Sequence, residues 1–224
     1  MSVVYDTPIK LIIFDNDGTL MDTEWCYSVA HKEVTGYDLD WDFKVQLMGK
    51  TAIEACRMTC DHYGLTESPE SLCERRTKAV ERFWPTVPLM PGVDNLINEL
   101  IRRKIPISIA TASNRVGFTQ KSSGHPDFIA KFNATVCGNE VKAGKPEPDL
   151  FLAALAKFEG IKPEEALVFE DSPLGILAAN RAGMPSVYVP DPHMDVAKSL
   201  NEINAVPTLC IQSMEEFDFS KFKW

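Results

Sequence analysis

The chain has 224 residues, 45% of them hydrophobic and 25% charged, with a formal net charge of −9. This composition supplies an ordinary globular core, and its excess of acid over base disfavours a nucleic-acid backbone as the main partner. No stretch is long and apolar enough to span a bilayer, and Met1–Asp6 lacks the basic region and apolar run of a signal peptide. A cytoplasmic chain without a membrane partner is therefore expected. Its six cysteines, Cys26, Cys56, Cys60, Cys73, Cys137 and Cys210, are expected to stay reduced and to pack as small hydrophobes.

Lys10–Phe14 reads as a buried strand, because Leu11, Ile12, Ile13 and Phe14 form a short continuous apolar run. It ends abruptly in Asp15-Asn16-Asp17-Gly18-Thr19. Residues i and i+2 of a strand face the same way, so Asp15 and Asp17 emerge together at the strand's carboxyl end, where open α/β sheets bind ligands. Two close carboxylates repel unless a cation or a shared proton relieves them. The pair suits a divalent-metal site, a nucleophile with an acid/base, or both.

From Thr19 to about Phe83 the pattern is helical. Thr51-Ala52-Ile53-Glu54 has capping-box spacing at the head of a helix running toward Tyr63, with Gly64 as its stop. Ser68-Pro69 opens another, serine as N-cap and proline at the first helical position. Pro85, Pro88 and Pro91 then punctuate the chain, so residues 21–88 read as an all-helical insertion. Beyond it, Val93, Leu96, Ile97, Leu100 and Ile101 form one helical stripe. Strands are expected at Ile105–Ala110, Ala134–Cys137, Ala166–Phe169, Ser186–Val189 and Thr208–Ile211. Helices are expected around Leu150–Phe158 and over Pro173–Ala182, the latter ending at Gly183. Strands alternating with helices predict an α/β fold with a doubly wound, mostly parallel sheet.

Polar residues follow directly on these strands. Asp15 and Asp17 follow the first, Thr111 with Ser113 and Asn114 the second, and Glu170 with Asp171 the run Ala166–Phe169; Lys145 sits in Gly144-Lys145-Pro146 before a helix. In a parallel sheet these strand ends gather on one rim. Four carboxylates there would repel strongly, so a hard divalent cation is implied, and oxygen ligands favour Mg²⁺. Taken singly, each has an ordinary reading: a turn aspartate, an N-cap region, a solvated lysine, a β-branched strand residue. Their order after successive strands is what joins them. His31, His62, His125 and His193 show no metal-ligand spacing and read as surface or packing residues, and the four tryptophans read as packing residues.

The runs Phe14-Asp15-Asn16-Asp17-Gly18-Thr19-Leu20, Ile109-Ala110-Thr111-Ala112-Ser113, Gly144-Lys145-Pro146-Glu147-Pro148-Asp149 and Val168-Phe169-Glu170-Asp171-Ser172-Pro173-Leu174-Gly175 span most of the chain. Together they resemble the haloacid-dehalogenase-like phosphatase superfamily. Met21-Asp22-Thr23-Glu24, Met48-Gly49-Lys50, Leu89-Met90-Pro91-Gly92 and Val189-Pro190-Asp191 resemble the subgroup of pseudouridine-5′-phosphatases and plant-type glycerol-3-phosphatases, and more distantly β-phosphoglucomutase. The resemblance implies a Rossmann-like core over residues 1–20 and 89–224, with a helical cap domain over 21–88.

It also implies an activity, Mg²⁺-dependent hydrolysis of a small phosphorylated metabolite through an aspartyl-phosphate. Asp15 is the implied nucleophile, and Asp17 the acid/base. Mg²⁺ would bridge Asp15, the backbone carbonyl of Asp17 and Asp171, with Glu170 as a further ligand, directly or through water. Lys145 would contact the phosphoryl group and Asp15, and Thr111 would donate to a phosphoryl oxygen. Ser113 and Asn114 are counted as substrate-binding, Asn114 with loop capping as its alternative. Glu24 and Lys50 are the candidates for reading the leaving group, each with a solvated charge as its alternative. The expected substrate is pseudouridine 5′-phosphate, then glycerol 3-phosphate or a sugar phosphate. A phosphomutase is the alternative, although the cap stretch Gly49–Glu54 carries no arginine before Arg57. A non-catalytic binding protein on the same fold is a third reading, and a monomer is expected.

Overall fold

The computed structural model describes residues 4–47 and 52–224. The chain opens with β1 (Tyr5–Pro8) and β2 (Leu11–Phe14). Four helices follow, α1 (Thr23–Thr35), α2 (Trp41–Leu47), α3 (Ala52–Tyr63) and α4 (Pro69–Glu81). Then come α5 (Val93–Arg102), β3 (Ile107–Thr111), α6 (Arg115–Lys121), α7 (Pro126–Ile129), β4 (Ala134–Cys137), α8 (Asp149–Leu155) and β5 (Ala166–Glu170). The series closes with α9 (Pro173–Arg181), β6 (Ser186–Tyr188), α10 (Val196–Ile203), β7 (Leu209–Cys210) and β8 (Phe222–Lys223).

Among the described residues, six strands form a parallel sheet in the order β4-β3-β2-β5-β6-β7. The central strand is β2, with β3 on one side and β5 on the other. The order therefore reverses at its carboxyl end, which opens a crevice there. All four residues of β2 are buried because both faces are covered. Ile12 and Phe14 pack with Ile97, Leu100 and Phe169 on one face, and Leu11 and Ile13 pack with Phe151, Val168 and Ala178 on the other. Phe14 lies in register with Ile109 and with Phe169, so the residues that follow these three strands arrive on one level.

The chain crosses to the helical segment and back side by side. Met90 N–H donates to the Leu20 carbonyl at 2.9 Å, and Asp22 N–H to the Pro88 carbonyl at 2.9 Å. Between these crossings α4 packs on both α1 and α3. Cys56, Cys60 and Leu72 form a small core there, separate from the one under the sheet. Ser68 accepts a hydrogen bond from Ser71 N–H and caps α4, whose first residue is Pro69, as its sequence predicts.

Several expectations need correction. The second sheet strand begins at Ile107 rather than Ile105 and runs on to Thr111, because Pro106 has no N–H to give a ladder. Ile101 is 43% exposed; the buried face of α5 closes on Leu100. Cys210 is exposed and Cys73 half-buried, while the other four cysteines are buried. The pairing of β1 with β8 was outside the sequence expectations, as was α6, whose Val116 and Gly117 are poor helix formers. It forms because Asn114 caps it and Phe118 anchors it.

His31 on α1 is 1% exposed, and its Nε2 has no hydrogen-bond partner among the described residues. Burial, reinforced by the charge of Arg76, lowers its pKa from 6.5 to about 4. The folded chain holds this imidazole neutral while the unfolded chain protonates it. Stability is therefore lost as pH falls from about 6.5 toward about 4, by about 2 kcal/mol between pH ~7 and pH ~5 from this group. The urea midpoint of His31→Gln is expected to fall less over that interval than that of the native chain.

Candidate active site

Asp15 leaves β2 with its N–H donated to the Phe169 carbonyl at 3.0 Å, which ties it to the neighbouring strand. Its side chain is 7% exposed, and its Oδ1 lies 2.5 Å from Lys145 Nζ. The same ammonium reaches Glu170 Oε1 at 2.5 Å, where the glutamate side chain is 1% exposed. The other glutamate oxygen accepts from Ser172 N–H at 2.7 Å, and Ser172 caps α9 by accepting from Gly175 N–H. Asp171 Oδ1 accepts from Thr19 Oγ1 at 3.0 Å.

Two glycines make room for this arrangement. Gly18 has φ +81°, and a Cβ there would collide with the Asp171 carboxylate. A Cβ on Gly175 would collide with the carboxylate of Glu170. The motif glycines are therefore spaces for acids as well as turn formers.

Asp15, Glu170 and Asp171 can each place one oxygen within 4.8 Å of the others. One lysine faces three carboxylates, so the cluster lacks positive charge. The imbalance shows in the proton affinities. Burial raises Asp15 to about 7 against the pull of Lys145, with Glu170 and Asp17 pushing further up. Burial also raises Asp171 well above the usual carboxylate range, with Glu170 and Asp15 adding to it. A cation relieves what lysine alone cannot, and an all-oxygen donor set fits a hard divalent ion.

The fourth carboxylate does not join them. Asp17 Oδ1 lies 2.5 Å from Lys121 Nζ, and its Oδ2 accepts from Ser113 Oγ at 2.9 Å and from Thr111 Oγ1 at 3.4 Å. Burial alone would raise its pKa, but the charge and hydrogen bond of Lys121 lower it below the usual value. The expected cluster of four is thus three acids and a separate ion pair, because the chain turns at Asn16 and a second lysine waits on the far side. The Asp17 side chain is accordingly not among the grouped metal-ligating acids.

Two further expectations change. Ser113 is committed to Asp17 and accepts from Lys121 Nζ at 2.9 Å, so its hydroxyl serves the ion pair. Asn114 is the N-cap of α6, its Oδ1 accepting from Gly117 N–H at 2.8 Å; the capping alternative is the one seen. Glu24 pairs with Lys44 at 2.8 Å and lines a cavity of about 160 Å³ with Gly18, Thr19 and Asp171. Lys50 lies outside the described residues. Among the described residues no histidine joins the acidic cluster; His125 instead meets the Val87 carbonyl at 2.5 Å.

Lys121 escaped the sequence reading. It lies three residues after Phe118 on α6, and both are buried. A lysine on the inward face of an amphipathic turn was the available signal, since that face places it under apolar cover, where it needs an acid.

Residues 12–189 match the haloacid dehalogenase-like hydrolase family, and the chain belongs to that family. It is 40% identical over 196 residues to (DL)-glycerol-3-phosphatase 1, mitochondrial, of Arabidopsis thaliana, with 84% of this chain and 66% of that protein covered. It is 37% identical over 218 residues to a Drosophila melanogaster protein named a probable pseudouridine-5′-phosphatase, with 94% of each covered. Among solved structures it is similar to a Thermotoga maritima protein that carries β-phosphoglucomutase as a provisional name. There the TM-score is 0.77 at 28% identity, covering 92% of this chain and 96% of that one. No helix among the described residues is long and apolar enough to cross a membrane.

A divalent cation at the three acids is expected to raise the thermal midpoint by linkage. Asp171→Asn should keep the cation-free midpoint at or above that of the native chain, because it removes a repulsion, and should abolish the response to Mg²⁺. Gly175→Ala, which displaces Glu170, is expected to lower the midpoint in calorimetry and to cost about 1–3 kcal/mol.

Proposed function

We propose that the chain is a Mg²⁺-dependent phosphomonoesterase that acts on a small phosphorylated metabolite through an aspartyl-phosphate on Asp15. The observation that carries this reading is the pairing of environments at the carboxyl end of β2. Asp15 is held by Lys145 beside two further acids, and Asp17 is held apart by Lys121. As they stand the proton affinities run against these roles, burial raising Asp15 and Lys121 lowering Asp17, so a cation beside Asp15 and a phosphoryl dianion beside Asp17 would be what sets nucleophile and acid apart.

Lys145 occupies Oδ1 of Asp15 and orients the carboxylate, so that Oδ2 attacks phosphorus as the ester P–O bond breaks. Asp17 gives its proton to the departing alkoxide oxygen and then takes one from the water that cleaves the aspartyl-phosphate. In its pair with Lys121 it is ionised, the form the second half-reaction needs. The incoming phosphoryl dianion supplies the negative charge that favours the protonated form for the first. The hydroxyl of Thr111, long at 3.4 Å from Asp17, is available to a phosphoryl oxygen. Asp15, Asp171 and Glu170, with the backbone carbonyl of Asp17, would hold Mg²⁺, which would supply positive charge between nucleophile and phosphate.

The helical segment 21–88 acts in this reading as a cap domain over the core formed by 1–20 and 89–224, excluding water and reading the leaving group. Glu24 and Lys50 are its candidates. Pseudouridine 5′-phosphate is the preferred substrate and glycerol 3-phosphate the second, from the names of the relatives. The similarity to the Thermotoga maritima structure supports a phosphomutase as the alternative. A monomer in the cytoplasm with no membrane partner completes this reading, and the net charge of −9 disfavours a nucleic-acid backbone as partner.

Free phosphate release in Mg²⁺ from a panel holding both esters and β-glucose 1-phosphate tests the reading. Asp15→Asn is expected to abolish turnover, and Asp17→Asn to lower kcat roughly 10²–10⁴-fold. Release that survives Asp15→Asn would overturn the mechanism. An isomer formed without free phosphate would establish the mutase.

A further inference from the structure

A cavity of about 410 Å³ opens between the helical segment and α6. That size lies within the range of small-molecule sites, about 300–1,000 Å³. Its lining includes Tyr27, Arg76, Trp84 and Lys121. It adjoins the site already described through Lys121, whose Nζ lies 2.5 Å from Asp17 Oδ1 and 5.5 Å from the centre of the Trp84 ring. Whatever Asp17 protonates therefore departs beside this cavity.

Among the described residues no carboxylate forms an ion pair with Arg76, although Glu81 lines the same cavity. The neighbours of Arg76 on α4 and just beyond are paired, Arg75 with Glu67, Lys78 with Glu74 and Arg82 with Glu33. Arg76 is half-buried, forms no ion pair among the described residues, and stands 5.6 Å from the centre of the Tyr27 ring. Tyr27 and Trp84 meet edge to face at 5.7 Å, so two aromatic rings flank the guanidinium and the ammonium. A half-buried guanidinium without an ion pair presents a planar fork of donors to the cavity.

The charge balance narrows the ligand. Lys121 is spent on Asp17, and Glu81 lines the cavity together with Arg76, so the walls carry no net positive charge. A second phosphate dianion would need such charge, whereas neutral carbonyl oxygens need donors only. The aromatic walls favour a flat partner.

We infer that this cavity takes the leaving group of the ester and that Arg76 is its specificity-determining residue. The group it selects is a planar ring edged with carbonyl oxygens, the chemistry of a pyrimidine-dione nucleoside. This rests on the phosphomonoesterase reading above. It assigns Arg76 a role in choosing between a nucleoside and a simple polyol as leaving group, and it leaves the chemistry at phosphorus to the other residues.

The first test needs no turnover. Pseudouridine itself, without phosphate, is titrated calorimetrically into the native chain and into Arg76→Gln and Arg76→Lys. Binding to the native chain is expected, weakened roughly tenfold or more in both variants, because lysine keeps the charge but loses the fork. Arg76→Lys carries the test should Arg76→Gln fail to fold. The second test is the ratio of kcat/KM for pseudouridine 5′-phosphate to that for glycerol 3-phosphate, expected to fall roughly tenfold or more in the variants. No binding of pseudouridine to the native chain, or binding and ratio both within about twofold of native in the variants, would overturn the inference and leave the phosphatase reading intact. Arg76-dependent nucleoside binding without hydrolysis of any ester would instead uphold the cavity and remove the activity.

Discussion

A buried ammonium group stays charged only where acids surround it, and Lys145 meets that condition with Asp15 on one side and Glu170 on the other. The contact joins the end of β2, the end of β5 and the loop before α8. Its strength comes from low exposure, since the side chains of all three partners are less than a tenth exposed. Burial by itself would lower the affinity of Lys145 for its proton, and the two carboxylates more than reverse that. Removing one partner would leave the others buried and uncompensated, so the three form one unit.

The same unit is one positive charge short. Asp171 stands beside it with Thr19 as a hydrogen-bond donor and a proton affinity raised by burial and by its acidic neighbours. This is the physical case for a divalent ion, and it comes from the donor set itself. Asp17, two residues from Asp15, is placed in the opposite setting by Lys121 and Ser113. One strand end thus presents two carboxylates whose surroundings drive their protons in opposite directions, burial favouring the proton on Asp15 and Lys121 disfavouring it on Asp17.

The sheet explains why so much of this was legible in the chain alone. A parallel strand buried on both faces reads as an unbroken apolar run, as Leu11–Phe14 does. The residue that breaks the run lies at the strand end, and register then brings the ends of β2, β3 and β5 to one level. Asp15, Thr111, Glu170 and Asp171 could be gathered by that rule, and Lys145 by the motif Gly144-Lys145-Pro146 before a helix. Lys121 could not, because it follows no strand end; its one local signal is its place on the inward face of a short amphipathic turn. Asn114 shows the converse: a polar residue next to the site by sequence, spent on capping a helix. The pairing of β1 with β8 joins segments more than two hundred residues apart, a contact no local pattern encodes.

By itself, the sequence determined which residues end the core strands and where the helical segment enters and leaves, because apolar periodicity and proline or glycine punctuation are local properties of the chain. Tertiary structure alone decided how the four acids divide between two lysines. That division depends on distances across the fold, where burial strengthens every charge interaction and a side chain's nearest partner is seldom its neighbour in sequence.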